Sequence, residues 1–337
     1  MKENPKTEKH HYVSRCYLKN FTFDKKRSLV YAYQRKKSVI TTNIKNIAAK
    51  KNLYTFLDKT TGKKTNIVEE MFGVLEAAAC PVIRKIVKTQ ELNLDEKEKG
   101  ALAQFIAFLA TRTISFDAWQ KNMSIGMQKQ LMVETARNKD HLKASFKRAG
   151  IEFKNEKELE DMRQSILDFD KHFKVEFKGG EGYFFKVAAE LAMELTQILF
   201  NKHWHLLISN TSRVFITSDN PVAIQKVKGV PFQFNSGFMY GTVLLTLSPS
   251  LCLAIRYRPL IEKIIQINRA QVDSINKSIM LKSGNFIYSN ISSGDIKNIY
   301  NSIPKGQDRE VIIKKINNTP YIISTGPELE SETISEC

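Results

Sequence analysis

The sequence lacks long apolar runs, since its uninterrupted apolar stretches reach only four to six residues. A membrane-spanning helix needs about 18 such residues, so we expect no membrane segment. The opening MKENPKTEKHH has no apolar stretch either, and we expect no signal peptide. Hydrophobic residues nevertheless make up 42% of the 337 residues, which excludes intrinsic disorder because a core can form.

Cysteine is also scarce. The four cysteines are widely spaced and form no C-x-x-C pair, which excludes zinc ribbons and thioredoxin-type motifs. Cys80 and Cys252 lie within the apolar stretches LEAAAC and LCLAI, so we expect both to behave as small buried hydrophobic residues. This pattern favours a reducing cytoplasm as the location of the protein.

Several catalytic signatures are missing. The chain contains no G-x-x-x-x-G-K-[ST], G-x-G-x-x-G, G-x-S-x-G or H-E-x-x-H sequence. We therefore do not expect a P-loop NTPase, a dinucleotide-binding enzyme, an α/β-hydrolase or a zincin.

Positive charge is in excess: 52 Lys and Arg outnumber 35 Asp and Glu, which gives a net charge of +17. Residues 1–64 hold 17 of the basic residues and only four acidic ones. Such a segment attracts phosphate backbones, and interleaved aromatic rings suit base stacking in single-stranded nucleic acid. These rings belong to Tyr12, Tyr17, Phe21, Phe23, Tyr31, Tyr33 and Tyr54. The alternative is a solvated basic surface whose aromatic rings point inward.

Hydrophobic periodicity predicts an α+β fold. Residues 1–64 are predicted to form a basic β-rich N-terminal lobe, residues 65–204 a helical region, and residues 205–337 a mostly antiparallel sheet with helices. No repeat or low-complexity linker separates them, so we expect one integrated domain. Asp95 begins a capping box for one helix, and Pro81 is expected to kink or restart the helix before it.

The motif FITSDNPV places Ser218, Asp219 and Asn220 at a predicted strand end, because Pro221 ends regular pairing. At such an end, Asp219 could act as a general base or bind a divalent metal, and Asn220 could orient a phosphate. The same residue types are also ordinary turn formers that bond their own backbone. Both interpretations remain open from the sequence.

Histidine and arginine supply the other candidates. His10 and His11 open the basic segment, and alternate side chains of an extended chain allow only one of them to face a pocket readily. His203 and His205 would share one face of a strand, a geometry that can hold Zn²⁺ or Mn²⁺. Arg112 follows the apolar FIAFLAT and needs a partner, such as Asp219 or a bound phosphate, unless it extends to the surface.

These motifs resemble a bacterial family catalogued as domain of unknown function 4238. The opening of that family reads H-x-x-P-x-x-Y-L-x-x-F, which His11, Tyr17, Leu18 and Phe21 match, while Ser14 stands where proline is expected. FIAFLATRT, FITSDNPV and the later LSPS follow in the family order, over about residues 10–290.

The resemblance implies a common site made from His11, Arg112, Asp219, Asn220 and Asn276. His11, Asp219 and Asn220 are the expected catalytic residues, with Asp219 as a ligand for Mg²⁺ or Mn²⁺. The expected substrate-binding residues are Arg112, Ser218, Asn276, His10 and Arg15.

Three functions fit these residues. The first is a nucleic-acid-targeting phosphodiesterase, a nuclease-like effector that by analogy serves bacterial defence. The second is a non-catalytic nucleic-acid-binding module in which the polar motifs are structural. The third is a sensor that captures a phage protein or a small phosphorylated ligand. In each case we expect a cytoplasmic protein without a membrane partner.

Overall fold

The chain folds as a mixture of helices and strands, which confirms the predicted α+β class. The computed structural model describes residues 9–54, 56–57, 64–65, 67–174, 183–226, 237–304, 310–316 and 319–325. The strands are β1 (Lys9–His11), β2 (Leu29–Gln34), β3 (Ile40–Asn43), β4 (Ala49–Lys51), β5 (Phe56–Leu57), β6 (Lys64–Thr65), β7 (His203–Ser209), β8 (Thr217–Ser218), β9 (Ala223–Gln225), β10 (Thr242–Ser248), β11 (Leu251–Arg256), β12 (Ile264–Ile267), β13 (Phe286–Ser289), β14 (Glu310–Ile316) and β15 (Thr319–Thr325).

The helices span very different lengths. They are α1 (Arg15–Leu18), α2 (Ile67–Thr89), α3 (Glu96–Thr111), α4 (Ile114–Arg137), α5 (Lys139–Arg148), α6 (Glu156–Leu167), α7 (Phe169–His172), α8 (Tyr183–Phe200), α9 (Arg269–Lys282) and α10 (Gly294–Ser302). Among these described helices, none combines the length and the apolar composition needed to cross a membrane.

A five-stranded sheet in the order β12-β7-β11-β10-β9 lies at the centre of the fold. Its neighbours pair antiparallel, except that β12 runs parallel to β7. Strands β7, β10 and β11 are almost entirely buried, because both faces of the sheet are covered.

The two faces of this sheet belong to different cores. Leu206 and Leu253 pack with apolar residues of α2, α3 and α8, whereas Leu207 and Cys252 pack with residues of α9. This division follows from the strand period of two, which points neighbouring side chains to opposite faces.

A second sheet has the order β3-β2-β13-β8, and all its neighbours are antiparallel. Its strands come from both ends of the described chain: β13 pairs with N-terminal β2 on one side and with β8 on the other. Ile287 of β13 therefore faces Tyr33 across one ladder and Ser218 across the other. The N-terminal strands thus share their sheet with Thr217 and Ser218 of the motif FITSDNPV.

The chain divides into two compact units. The first consists of residues 1–117, 181–307 and 327–337, and it holds both sheets described above. The second consists of residues 118–180 and 308–326, so the boundary falls within α4. Inside the second unit, helices α5 to α7 surround a small core that includes Leu142, Leu159 and Phe169, and β14 pairs antiparallel with β15.

Several local predictions can be compared with this structure. The capping box is confirmed, since Asp95 accepts from the Glu98 N–H and the Glu98 carboxylate accepts from the Asp95 N–H. Helix α2 continues through Pro81, so the helix does not restart there. The apolar and β-branched residues of RVFIT predict a strand over residues 213–217, but only Thr217 and Ser218 are paired. The sequence VIIKKINNTPYIIS predicts a hairpin that turns at residues 317–318, which lie outside the described residues.

The cysteine prediction needs a correction. Cys80 is buried as expected, but its sulfur is bonded to that of Cys16, 64 residues earlier, so α1 is tied to α2. Cys252 is buried and free, which confirms its prediction. A disulfide is typical of oxidising compartments, so the cysteines no longer favour a reducing one.

We expect reduction of this disulfide to lower the free energy of unfolding by about 2–4 kcal/mol, because a 64-residue loop is released in the unfolded chain. Thiol titration in guanidinium checks the bond itself: the unreduced protein is expected to show two fewer thiols than the reduced one. Urea unfolding of the double variant Cys16→Ser/Cys80→Ser should match the reduced protein, whereas Cys337→Ser should keep the stability of the parent. Four free thiols without reductant would contradict the bond.

Candidate functional site

Asp219 holds a turn of the backbone. Its Oδ1 accepts from the Gly284 N–H at 2.7 Å, and its Oδ2 accepts from Asn285 at 2.7 Å and from Phe286 at 3.1 Å. Its own N–H donates to the Phe286 carbonyl at 3.1 Å. Burial raises the pKa of this carboxyl above its ordinary value, and the three N–H groups oppose that rise. The carboxylate thus closes the connection between α9 and β13.

The neighbours of Asp219 serve the same turn. Asn220 donates its side-chain N–H to the Lys282 carbonyl at 3.0 Å, and its backbone N–H donates to Ser218 Oγ at 3.1 Å. Glycine at position 284 allows this close approach, since an added Cβ would lie 2.6 Å from Ser115 Oγ and 3.1 Å from Asp219 Oδ2. The S-D-N-P motif is therefore packed tightly against backbone on the side of this turn.

The side chain of Asn276 likewise forms hydrogen bonds with backbone, in this case with the segment before β8. Its Oδ1 accepts from the Ile216 N–H at 3.1 Å, and its Nδ2 donates to the Val214 carbonyl at 2.8 Å. The side chain replaces the strand partner that this extended segment lacks. This explains why residues 213–216 have a strand-like sequence without belonging to a sheet.

Arg112 is buried, and its partner is Glu76 of α2 instead of Asp219. Its Nη2 lies 3.0 Å from Glu76 Oε1, and its Nε donates to the Tyr12 carbonyl at 3.0 Å. The guanidinium also lies over the Phe72 ring, 4.6 Å from its centroid. These contacts join the N-terminal segment, α2 and the end of α3.

His10 and His11 face different surroundings, as the strand alternation predicted. His10 is fully buried, its Nδ1 accepts from the Tyr54 N–H at 2.9 Å, and its ring stacks on that of Tyr54. His11 is half-buried, and it bonds the Lys45 backbone through one ring nitrogen while the other, Nε2, is buried without a hydrogen-bond partner. Burial and the nearby Arg15 lower the pKa of His11, so its imidazole is neutral at pH 7.

A second unpartnered atom belongs to Glu69 of α2, whose Oε2 is buried without a hydrogen bond. Burial raises the pKa of this carboxyl, while the charges of His10, Arg112 and Arg15 oppose the rise. A buried polar atom that lacks a partner costs about 1–3 kcal/mol, and such atoms in a native structure call for an explanation.

We name His11, Arg15, Glu69, Glu76 and Arg112 the polar cluster. His11 is influenced by the charges of Arg15 and Glu76, and Glu69 by those of Glu76, Arg112 and Arg15, so Arg15 and Glu76 connect His11 with Glu69 electrostatically. The cluster can supply a neutral base, a carboxyl group and an exposed cation to a phosphate.

Glu69 and Glu76 lie in none of the sequence motifs and were not predicted as site residues. They lie seven residues apart, with Phe72 between them, so all three share one face of α2. Phe72 is in the core, and two acidic residues on the face of a buried aromatic residue are a signal that the sequence did contain.

Of the predicted site residues, the structure therefore brings together His11, Arg15 and Arg112 in the polar cluster. Asp219, Asn220 and Ser218 lie outside this cluster, at the turn between α9 and β13. Tyr12 lies between these places, because its carbonyl accepts from Arg112 while the charge of Asp219 contributes to the raised pKa of its phenol.

The cations of the N-terminal segment form an exposed surface around His11. Lys9 and Lys51 are register partners of the β1–β4 ladder, Lys50 faces His10, and the charges of Lys9 and Arg15 reach His11. We name the five exposed residues concerned the basic surface; they are Lys9, Arg15, Lys45, Lys50 and Lys51.

Most aromatic rings of this segment point inward. Those of Tyr12, Tyr17, Phe21, Tyr33 and Tyr54 are buried. Phe23 and Tyr31 are more accessible, but they stack on each other with centroids 4.4 Å apart. The alternative of an inward-pointing set of rings thus describes this segment better than a row of base-stacking platforms.

The pair His203 and His205 is not arranged as a metal site. His205 uses both ring nitrogens, one with the Glu262 carbonyl at 2.8 Å and the other with the Leu260 N–H at 3.3 Å. Within the part of the chain that the structure describes, no group of three or more His, Cys, Asp or Glu side chains is arranged to hold a metal ion.

The fold and these sites define a mixed α+β protein with a buried central sheet, a clamped S-D-N-P turn and a polar cluster within a basic surface. The family model described as a protein of unknown function (DUF4238) matches residues 9–293. The chain belongs to this family, as its motifs predicted. No curated protein and no solved structure matches it significantly.

The geometry of Asp219 generates a prediction about stability. Asp219→Ala is expected to lower the free energy of unfolding by about 3 kcal/mol or more, because it leaves three N–H groups without an acceptor in a buried turn. Asn220→Ala removes a single side-chain bond and should lower it by about 1 kcal/mol.

Urea unfolding followed by far-ultraviolet circular dichroism compares the two variants. Equal stability of Asp219→Ala and the parent protein would show that the carboxylate does not hold the turn, and a role toward a ligand would then be the better interpretation.

Proposed function

We propose that this protein binds nucleic acid through the phosphate backbone, and that the basic surface around His11 makes the contact. The observation that carries the proposal is the concentration of exposed cations there. In residues 9–54 the only acidic residue is Asp24, and it is engaged with Arg27 of its own turn. A phosphate backbone that meets this surface releases counterions, which favours binding without sequence recognition.

The inward orientation of the aromatic rings supports nucleic-acid binding through phosphates instead of through base stacking. Base stacking contributes about 1–3 kcal/mol for each base in proteins that bind single strands. Because Tyr12, Tyr17 and Tyr54 are core residues, that contribution is small here. We therefore propose contacts with phosphates, with little preference between bases.

The test removes three charges from the basic surface. Lys9→Gln/Lys45→Gln/Lys50→Gln is expected to weaken binding of a fluorescent single-stranded oligonucleotide, measured by anisotropy from 50 to 300 mM salt. The slope of log Kd against log salt concentration should fall by about 2, since each phosphate contact with a single strand contributes about 0.7.

The matched control is Lys147→Gln/Lys154→Gln/Lys157→Gln. It removes the same net charge from exposed positions of the second compact unit. If both triple variants lose the same affinity, the effect comes from total charge, and the proposed surface is wrong. If the parent protein does not bind the oligonucleotide at 50 mM salt, the proposed function itself is wrong.

Cleavage of RNA is a second candidate function, and the unpartnered Nε2 of His11 favours it. A neutral imidazole can take the proton of a ribose 2′-hydroxyl. The 2′-oxygen then forms a bond to phosphorus, the bond from phosphorus to the 5′-oxygen breaks, and that leaving oxygen takes up a proton, which Glu69, whose pKa is raised by burial, would supply from its acid form. Arg15 would stabilise the phosphate charge. The ligand reaches Nε2 only when side chains at the edge of the cluster move, because that atom is covered.

His11→Asn isolates this chemistry from binding. Asparagine keeps an N–H donor for the Lys45 carbonyl but has no atom at the position of Nε2. We expect cleavage of labelled RNA to fall at least 100-fold with the Kd unchanged within about twofold, since acid–base catalysis contributes roughly 10²–10⁴-fold.

The reactions are run with Mg²⁺, Mn²⁺ or EDTA, on RNA and on DNA of the same sequence. Cleavage of DNA as fast as RNA would contradict a role for the 2′-hydroxyl. Binding without any cleavage by the parent protein would exclude the enzyme and leave the binding function.

A further inference from the structure

A cleft of about 430 Å³ lies apart from the polar cluster, where α3 and the loop after α2 meet the start of β7 and the loop before β12. Its lining residues come from residues 92–99, 202–205 and 259–263. All of them belong to the first compact unit. The volume is typical of sites for small organic ligands.

The charged side chains of this cleft are all basic. Lys99 and Lys263 both line it. Burial lowers the pKa of Lys99, and the charge of the nearby Lys263 lowers it further. Within the described residues, neither ammonium group forms a salt bridge with an Asp or Glu. Two like charges beside a half-buried space are unfavourable without an anion between them.

The contacts of Lys99 show how its ammonium group is held at the cleft. It donates to the Lys202 carbonyl at 3.3 Å, and it lies over the rings of Phe200 and Trp204, 5.1 and 5.8 Å from their centroids. Lys202 is itself buried, with its ammonium group bonded to the carbonyls of Phe238 and Gly241, and burial lowers its pKa to about 8.

The rest of the lining is apolar. Leu92 and Trp204 are core residues at the inner end, whereas Ile261 at the outer end is 93% exposed. Pro259 and Leu260 complete this side, and the loop that carries them is fixed by His205, which bonds both Leu260 and Glu262. One side of the cleft is therefore cationic and the other apolar, and hydrogen bonds to His205 hold the backbone of the apolar side.

We propose that this cleft binds a small organic anion, in which a phosphate or carboxylate group contacts Lys99 and Lys263 and an apolar or aromatic body packs against Trp204 and the loop after β11. The proposal is independent of nucleic-acid binding, because none of these residues belongs to the basic surface. A ligand of this class contacts both the lysines and the apolar residues of the lining. An inorganic ion would contact only the lysines, and a neutral hydrocarbon only the apolar residues.

The test uses phenyl phosphate as the probe, with benzoate, phenol and inorganic phosphate as comparisons. The chain has two tryptophans, so Trp119→Phe leaves Trp204 as the single reporter of occupancy. We expect phenyl phosphate or benzoate to change the Trp204 fluorescence saturably, and phenol and inorganic phosphate to bind at least tenfold more weakly. Isothermal titration calorimetry on the parent chain gives an independent Kd.

Lys99→Gln/Lys263→Gln is expected to weaken binding of the anionic probes at least tenfold, while Lys97→Gln, an exposed position of the same helix, should leave it unchanged. Phenol binding as tightly as phenyl phosphate would overturn the anionic part of the proposal, and inorganic phosphate binding equally would overturn the apolar part. No saturable signal with any probe at 10 mM would overturn both. The triple variant of the basic surface must bind phenyl phosphate normally, which separates this site from the nucleic-acid surface.

Discussion

The carboxylate of Asp219 fixes the junction on which the N-terminal half of the first unit depends. It holds the backbone from Gly284 to Phe286, and β13 begins there. Because β13 pairs with β8 on one side and with β2 on the other, the same carboxylate lies at the start of the strand that joins the S-D-N-P motif to the N-terminal strands of this sheet. The residues of this turn belong neither to the basic surface nor to the polar cluster, which lie on other elements.

Much of the fold could be predicted from the sequence because local signals and tertiary packing agree. Helix α9 begins with an Asn268–Gln271 capping box and shows its apolar residues on one face, and the hydrophobic pattern predicts a helix over the same residues, 269–282. The segment before β8 was harder, because its strand-like pattern is satisfied by one side chain, Asn276, from a helix 60 residues later. Periodicity reports which faces are buried, but it cannot report which group supplies the hydrogen bonds.

The candidate site was predicted less completely for a related reason. Asp219 and Arg112 are residue types that serve both catalysis and structure, and only their partners distinguish the two roles. Arg112 bonds Glu76 and the Tyr12 carbonyl, so its demand for an anion is met within the protein. The family motif favoured His11 over His10, and the structure distinguishes them further, since His10 Nδ1 accepts from the Tyr54 N–H whereas His11 Nε2 has no hydrogen-bond partner. The type of a residue indicates which chemistry it could perform. The hydrogen bonds that it already forms within the protein determine whether its polar atoms are available to a ligand.

The first unit presents its excess positive charge in two arrangements, and the two proposals assign a different anion to each. On the basic surface the lysines are exposed, so they gain little from one small anion in water but much from a chain of phosphates that releases counterions. At the cleft, the exposed Lys263 lies close to the partly buried Lys99, and Trp204 lines the same space. An anion there would be less hydrated, and a compact ligand would gain from both charge and apolar contact. Under both proposals, the shape around each group of cations, more than their number, determines which anion each one would bind.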